Sequence, residues 1–152
     1  VLAYATSHLS GGQMNPAVSL GLALSGTLGP LQAAANMLAQ LVGAILGSSF
    51  LYATVPHAAA STLGSNAIAR GVSTGNAFVG EAVMTFVLVS VVLETAANRK
   101  STARAQAPLA IASLRPACRL PAGFAVFCAH AVMLPIDGCS INPARSLGPA
   151  IV

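Results

Sequence analysis

Ser10–Leu24 reads SGGQMNPAVSLGLAL, and Asp137–Ile151 reads DGCSINPARSLGPAI. Laid over each other without gaps, 127 positions apart, the two stretches share Gly, Asn, Pro, Ala, Ser, Leu, Gly and Ala in the same order. In both, Asn precedes Pro and a short helical pattern follows. Asn is a favoured helix N-cap and Pro a favoured first helical residue. Asn15 and Asn142 are therefore expected to cap helices at about 16–24 and 143–152, each too short to cross a bilayer. One such triplet is an ordinary loop-to-helix cap; two copies in matching context imply a symmetrical fold.

Composition says where that fold resides. Of the 152 residues, 55% are hydrophobic and 7% charged, against roughly 25% charged in a soluble domain. Residues 1–69 contain no Asp, Glu, Lys or Arg, a run that a water-facing surface does not sustain. The strict apolar and polar alternation of an outer-membrane barrel is missing. An all-α membrane protein is the expectation, because spanning backbone must satisfy its own hydrogen bonds. The formal charge of +4 does not indicate nucleic acid, since five of the seven basic residues fall between Arg99 and Arg119, as in a loop. Cys118, Cys128 and Cys139 have neither disulfide-framework nor zinc-ligand spacing, so no metal or cofactor is implied. No cleaved signal peptide is read at the N-terminus. The chain opens without Met, which is expected of a fragment.

Three spans are expected, at about 31–54, 76–97 and 121–136, the first long enough for roughly 30 Å of hydrocarbon. Gly43 and Gly47, with Ala35 and Ala39, form a small-residue face suited to close approach of another helix. The segment from Val55 to Gly75 holds Pro56, Gly64, Asn66, Gly71 and Gly75 and reads as a loop. Positive loops favour the cytoplasm, which puts the basic segment there. Three crossings then separate the two motifs, and an odd number inverts the second copy. Related broken segments entering from opposite faces are the mark of an inverted-topology repeat.

A half-helix starting at membrane depth aims free N–H groups and about half a positive charge at whatever precedes it. When the Asn carbonyl caps the helix, its amide NH2 remains a donor. Two such ends meeting in an apolar lumen disfavour cations. They also hold a water through its oxygen, which interrupts a proton relay while water stays mobile.

The residues HLSGGQMNPAVSLG and GCSINPARSLGPA resemble the two signature loops of the aquaporin, or major intrinsic protein, family, and the similarity extends to Gln40 in AQLVGAILG and Glu81 in GEAVMTFVLV. The resemblance implies an aquaporin-like helical bundle with two re-entrant half-helices, each protomer of a homotetramer conducting on its own. This chain would lack the first, most of the second, and the sixth spanning helix. The implied pore motifs are Asn15, Pro16, Ala17 and Asn142, Pro143, Ala144. Three of four filter positions would be His130, Cys139 and Arg145, twelve before, three before and three after Asn142. His8, Glu81 and Gln40 are implied as supporting residues, Glu81 as an acceptor for the irregular backbone of the second motif and His8 on the cytoplasmic half of the pore. A His at this place, with Ser146 rather than Asp after Arg145, is similar to water-selective members. The loops look most like those of plasma-membrane members.

One interval departs from the family. ASLRPACRLPA, Ala112–Ala122, brings two Arg and two Pro to the expected start of the third span. It leaves a run of only about 24 Å, and Pro with charge is expected to break the helix there. A lengthened loop and translated intervening sequence both account for it. The leading function is passive conduction of water, with no enzymatic chemistry. A facilitator of small neutral solutes such as glycerol is the runner-up, and a gradient-coupled secondary transporter the reading from another class, since inverted repeats also build those.

Overall fold

Pro30 occupies the first position of the longest helix, where a missing N–H costs nothing, and the helix runs without charge to Thr54 before Val55 turns extended ahead of Pro56. This helix organises a chain that, in the computed structural model, is described over residues 2–56, 62–97 and 119–152. The elements are α1 (Leu2–Ser10), α2 (Pro16–Leu24), α3 (Pro30–Thr54), α4 (Thr74–Val92), α5 (Arg119–Asp137) and α6 (Pro143–Ile151). All of the regular structure among the described residues is helical. The short α1 is an element that the sequence reading leaves unassigned.

Two helical stretches, Pro30–Thr54 and Thr74–Thr95, are long and apolar enough to cross a membrane. Their large apolar side chains point outward: Phe78 and Phe86 on α4 are 72% and 71% exposed, and Leu31 and Phe50 on α3 84% and 73%. Water does not tolerate so large an apolar surface on a monomer, whereas lipid does. The buried seam is narrow. Ala125, Ala129 and Met133, four residues apart on α5, pack with Leu88 of α4 and with Val18 and Leu22 of α2.

Ser73 caps α4 by accepting from Asn76 N at 3.1 Å, so the helix starts at Thr74. At its far end, Leu93–Ala97 widen into a π-helical turn, and the Thr95 hydroxyl donates to Val91 O one turn back at 2.7 Å. Such back-bonding competes with the regular ladder.

One sequence expectation needs correction. Arg119–Ala122, assigned to a helix-breaking insertion, form the first turn of α5, whose 19 residues extend about 28 Å. Pro121 is tolerated because first-turn N–H groups have no intrahelical acceptor. The rest of that interval, 112–118, lies outside the described residues. On α3, Gly43 and Gly47 have no neighbour within 4 Å of a Cβ position among the described residues. A close approach is made beside them, where a Cβ on Gly148 would lie 2.6 Å from both Ala44 O and Ser48 Oγ.

Candidate functional site

The two repeated motifs fold alike and meet. Asn15 (φ −152°, ψ 116°) and Asn142 (φ −155°, ψ 105°) hold the same extended cap conformation. Asn15 Oδ1 accepts from Ala17 N at 2.9 Å, and Asn142 Oδ1 accepts from Ala144 N at 3.1 Å and Arg145 N at 3.4 Å. Pro16 and Pro143 follow at the first helical position in each copy. Ahead of the caps, the left-handed residues also correspond: Gly11, Gly12 and Met14 in the first copy, Gly138, Cys139 and Ile141 in the second. Each pair is separated by the 127 residues of the sequence repeat. The duplication thus extends to backbone conformation, including two positive-φ sites occupied by Met and Ile that identity alone would not have flagged.

Contact between the copies is reciprocal. Asn15 Nδ2 donates to Ile141 O at 2.8 Å, and Asn142 Nδ2 donates to Met14 O at 3.0 Å. Each amide commits one N–H to the opposite loop and keeps one more. Two helix N-termini, each worth roughly half a positive charge, are thereby locked together. Asn15 is buried and Asn142 half-buried.

Different neighbours hold each motif. Along α3, Gln32, Asn36 and Gln40 fall four residues apart on one face. Gln32 Nε2 donates to Asn36 Oδ1 at 2.7 Å, Asn36 Nδ2 to Gln13 Oε1 at 3.3 Å, and Gln40 Nε2 to Ser19 Oγ at 2.9 Å. Further along the same face, Ala44 and Ser48 receive Gly148 of α6. One helix therefore seats both half-helices. The polar spacing of four on an otherwise apolar helix was a readable signal for this.

The second motif is held by a carboxylate. Glu81, half-buried on α4, accepts from Ser140 N through Oε1 and from Ile141 N through Oε2, both at 2.6 Å. Consecutive N–H groups converge in this way when the backbone alternates hands, making an anion nest; Ile141 supplies the left-handed residue at φ 48°. Asp137 Oδ1 takes the adjacent N–H, that of Cys139, at 3.0 Å.

Arg145, in the first turn of α6, is half-buried and engages backbone and amide oxygens. Its Nη1 donates to Gly64 O at 2.6 Å and to Asn66 Oδ1 at 3.0 Å. His130 turns back on its own helix, its Nδ1 lying 2.8 Å from Val126 O. Because a carbonyl can only accept, Nδ1 carries a proton in this contact. No hydrogen bond joins His130 to Arg145 among the described residues. Cys139, expected on the pore, is 0% exposed and packs in the core cluster beside Ile141 and Met133. Its left-handed backbone, φ 54°, is the conformational feature that a thiol at this position gave no reason to expect. His8 lies in α1, and its side chain is outside the described residues.

Sequence reasoning missed Asn66, Asp137 and Ser140, and it gave Ser146 no hydrogen-bonding role. Asn66 counted only as a loop breaker, and no local spacing could link it to partners 79 and 80 residues away. Ser146 did carry a signal, being the repeat partner of Ser19.

Two helices apolar and long enough to cross a membrane, beside two half-helices that join cap to cap, make an all-helical fold of the broken-helix type. The profile of the family described as "Major intrinsic protein" matches residues 1–152, and the chain belongs to that family. It is 40% identical to Aquaporin PIP2-7 of Musa acuminata over 153 residues, covering 100% of this chain and 52% of the relative. Aquaporin-1 of Sus scrofa is 38% identical over 99% of this chain and 52% of its own length. For Aquaporin-5 of Ovis aries the identity is 36%, over 99% of this chain and 53% of the relative. The chain spans about half the length of the curated relatives it matches.

Proposed function

We propose that this chain supplies the pore-forming heart of a passive water channel. The observation that carries the proposal is the reciprocal bond pair, Asn15 Nδ2 to Ile141 O and Asn142 Nδ2 to Met14 O. It fixes two amides and two helix N-termini around one point and leaves an N–H on each amide for a permeant oxygen. A water held by both donors keeps its own hydrogens for the waters ahead and behind, so it conducts without relaying protons.

Asn15, Pro16, Ala17 and Asn142, Pro143, Ala144 form the midpoint of the path. Arg145 and His130 belong to a narrower constriction on the side of the Arg145-bearing motif. Arg145 spends Nη1 on the loop and offers its remaining donors to water oxygen, while His130 spends Nδ1 on its own helix and keeps Nε2 for the path. The fixed cation repels cations, and the imidazole limits width. In the resting geometry the thiol of Cys139 supports the loop from behind. The relatives are aquaporins in name, from plants and mammals, which supports the same reading. The working protein is a homotetramer of independent pores in the plasma membrane.

The test is stopped-flow shrinkage of vesicles containing the full-length protein. Water permeability far above that of bare lipid, with glycerol excluded, is the expected result. Glycerol flux comparable to water flux would make it a facilitator of neutral solutes, and flux driven by a proton or sodium gradient would make it a coupled transporter. Either result rejects the proposal.

A further inference from the structure

The buried stripe of α5 ends on a carboxylate. Ala125, Ala129, Met133 and Asp137, four residues apart, are all buried. An ionisable side chain at membrane depth requires a partner. Asp137 Oδ1 reaches forward past the helix end and accepts from Cys139 N at 3.0 Å, closing a turn around left-handed Gly138 (φ 84°). Cys139 is itself left-handed, at φ 54°, a conformation that is unfavourable for a residue with a Cβ and open to glycine. The first copy makes the same turn without that penalty. The repeat partners of Asp137 and Cys139 are Ser10 and Gly12. Ser10 Oγ accepts from Gly12 N at 3.4 Å, and the left-handed residue, φ 61°, is the glycine. A long hydroxyl contact thus accompanies a glycine, and a shorter carboxylate contact accompanies a cysteine.

We propose that Asp137 is a positioning residue of the constriction: its carboxylate holds Cys139 left-handed and thereby fixes the helix that carries Arg145 against the helix that carries His130. This rests on the channel reading above. The covalent path makes such a brace effective. His130 lies seven residues before Asp137 on α5, and Arg145 lies six beyond Cys139 in the first turn of α6. Residues 138–142 join the two helices, so the angle between them is set where the chain turns left-handed, at Gly138, Cys139 and Ile141. Glu81 binds Ser140 N and Ile141 N, and Asp137 takes the N–H just before them. With that bond lost, Cys139 relaxes toward ordinary backbone geometry. Its thiol, fully buried in the core cluster, then turns out with the chain.

The test uses the full-length protein with every cysteine except Cys139 replaced by serine, and compares this parent with Asp137→Asn, Asp137→Ser and Asp137→Ala. The rate at which methyl methanethiosulfonate modifies Cys139 reports how often the thiol leaves the core. Asp137→Ala should raise that rate about tenfold, the population change expected from one lost hydrogen bond to a carboxylate. Asp137→Asn, which keeps the acceptor oxygen, should raise it least, and Asp137→Ser, which installs the acceptor of the first copy, should fall between. The ratio of glycerol to water permeability should rise in the same order. The Asn and Ser variants carry the ranking should Asp137→Ala fail to fold. Thermal unfolding completes a cycle: Asp137→Ala should lower the midpoint clearly in the parent and little in a Cys139→Gly background, where the left-handed residue needs no support. A parent that conducts no water defeats the channel reading, while thiol rates and unfolding still decide the brace. Asn and Ala variants that react alike, equal midpoint losses in both backgrounds, or a permeability ratio unmoved while the thiol is exposed, overturn the role of Asp137.

Discussion

The two half-helix motifs are near copies in backbone and opposites in support. Cap dihedrals, left-handed positions and reciprocal amide bonds correspond pair by pair. The first is held by neutral amides, Gln13 on Asn36 and Ser19 on Gln40, all reaching α3. The second is held by charge, with Glu81 on two backbone N–H groups and Arg145 on the loop oxygens. Symmetry therefore belongs to what the motif itself encodes, a cap and a turn, and asymmetry to what the passing helices and loops contribute. The only Arg in either motif lies in the copy whose backbone is bound by carboxylates, Glu81 and Asp137.

The largest effect that separates the copies should come from Glu81. Replacing it with Ala leaves the Ser140 and Ile141 N–H groups without their acceptor, at about 1–3 kcal/mol for each buried donor. Thermal unfolding of the full-length protein in detergent should show this as a marked loss of stability. Ser19→Ala in the first motif should cost less. If the two substitutions proved equally harmful, charge would not be what distinguishes the second copy.

The repeat also carries a matched pair of glycines, Gly21 and Gly148, whose surroundings differ. A Cβ on Gly148 would strike Ala44 O at 2.6 Å, a backbone atom that cannot retreat without bending α3. A Cβ on Gly21 would strike Val89 Cγ1 at 2.5 Å, the end of a side chain. Gly148→Ala should thus destabilise by about 1–3 kcal/mol through overpacking, and no single neighbouring substitution should restore it. Gly21→Ala should be restored by Val89→Ala, which removes the obstructing methyl. Thermal unfolding of the two single variants and the double variant checks both halves; failure of Val89→Ala to rescue would mean that α2 is held as rigidly as α6.

What was legible in the sequence follows the same division. Asn-Pro at a helix start is local chemistry, so the caps of α2 and α6 could be read from five or six residues. The expected acceptor role of Glu81 came from resemblance, and the hydrogen bonds to Ser140 and Ile141 supply its geometry. Asn66 was not legible, because its importance rests on a loop folding across to partners far along the chain. The contact of Gly148 on Ala44 and Ser48 was not legible either; it lies about 100° round α3 from the small-residue face of Gly43 and Gly47. Cys139 is buried here in a left-handed conformation, φ 54°, which its spacing from Asn142 does not encode.

The smallest effect concerns Gln40, and it tests whether the neutral support of the first motif is complete. Its Nε2 donates to Ser19 Oγ, but its Oε1 is buried with no partner among the described residues. Replacing Gln40 with Leu loses one hydrogen bond and also removes an acceptor that is left unsatisfied. These terms oppose each other, at about 0.5–1.5 and 1–3 kcal/mol. Gln40→Leu should therefore unfold within about 1 kcal/mol of wild type. Ser19→Ala is the harsher change, because it strands the Nε2 donor beside an Oε1 that is already unpaired. In the double variant the stability should return toward that of Gln40→Leu alone, since no polar atom of the pair remains to be stranded. The reverse order, with Gln40→Leu the more damaging, would show that Oε1 has a donor in the whole protein. The first motif would then be tied at one more point than α3 provides, and the contrast between its neutral support and the charged support of the second would be correspondingly weaker.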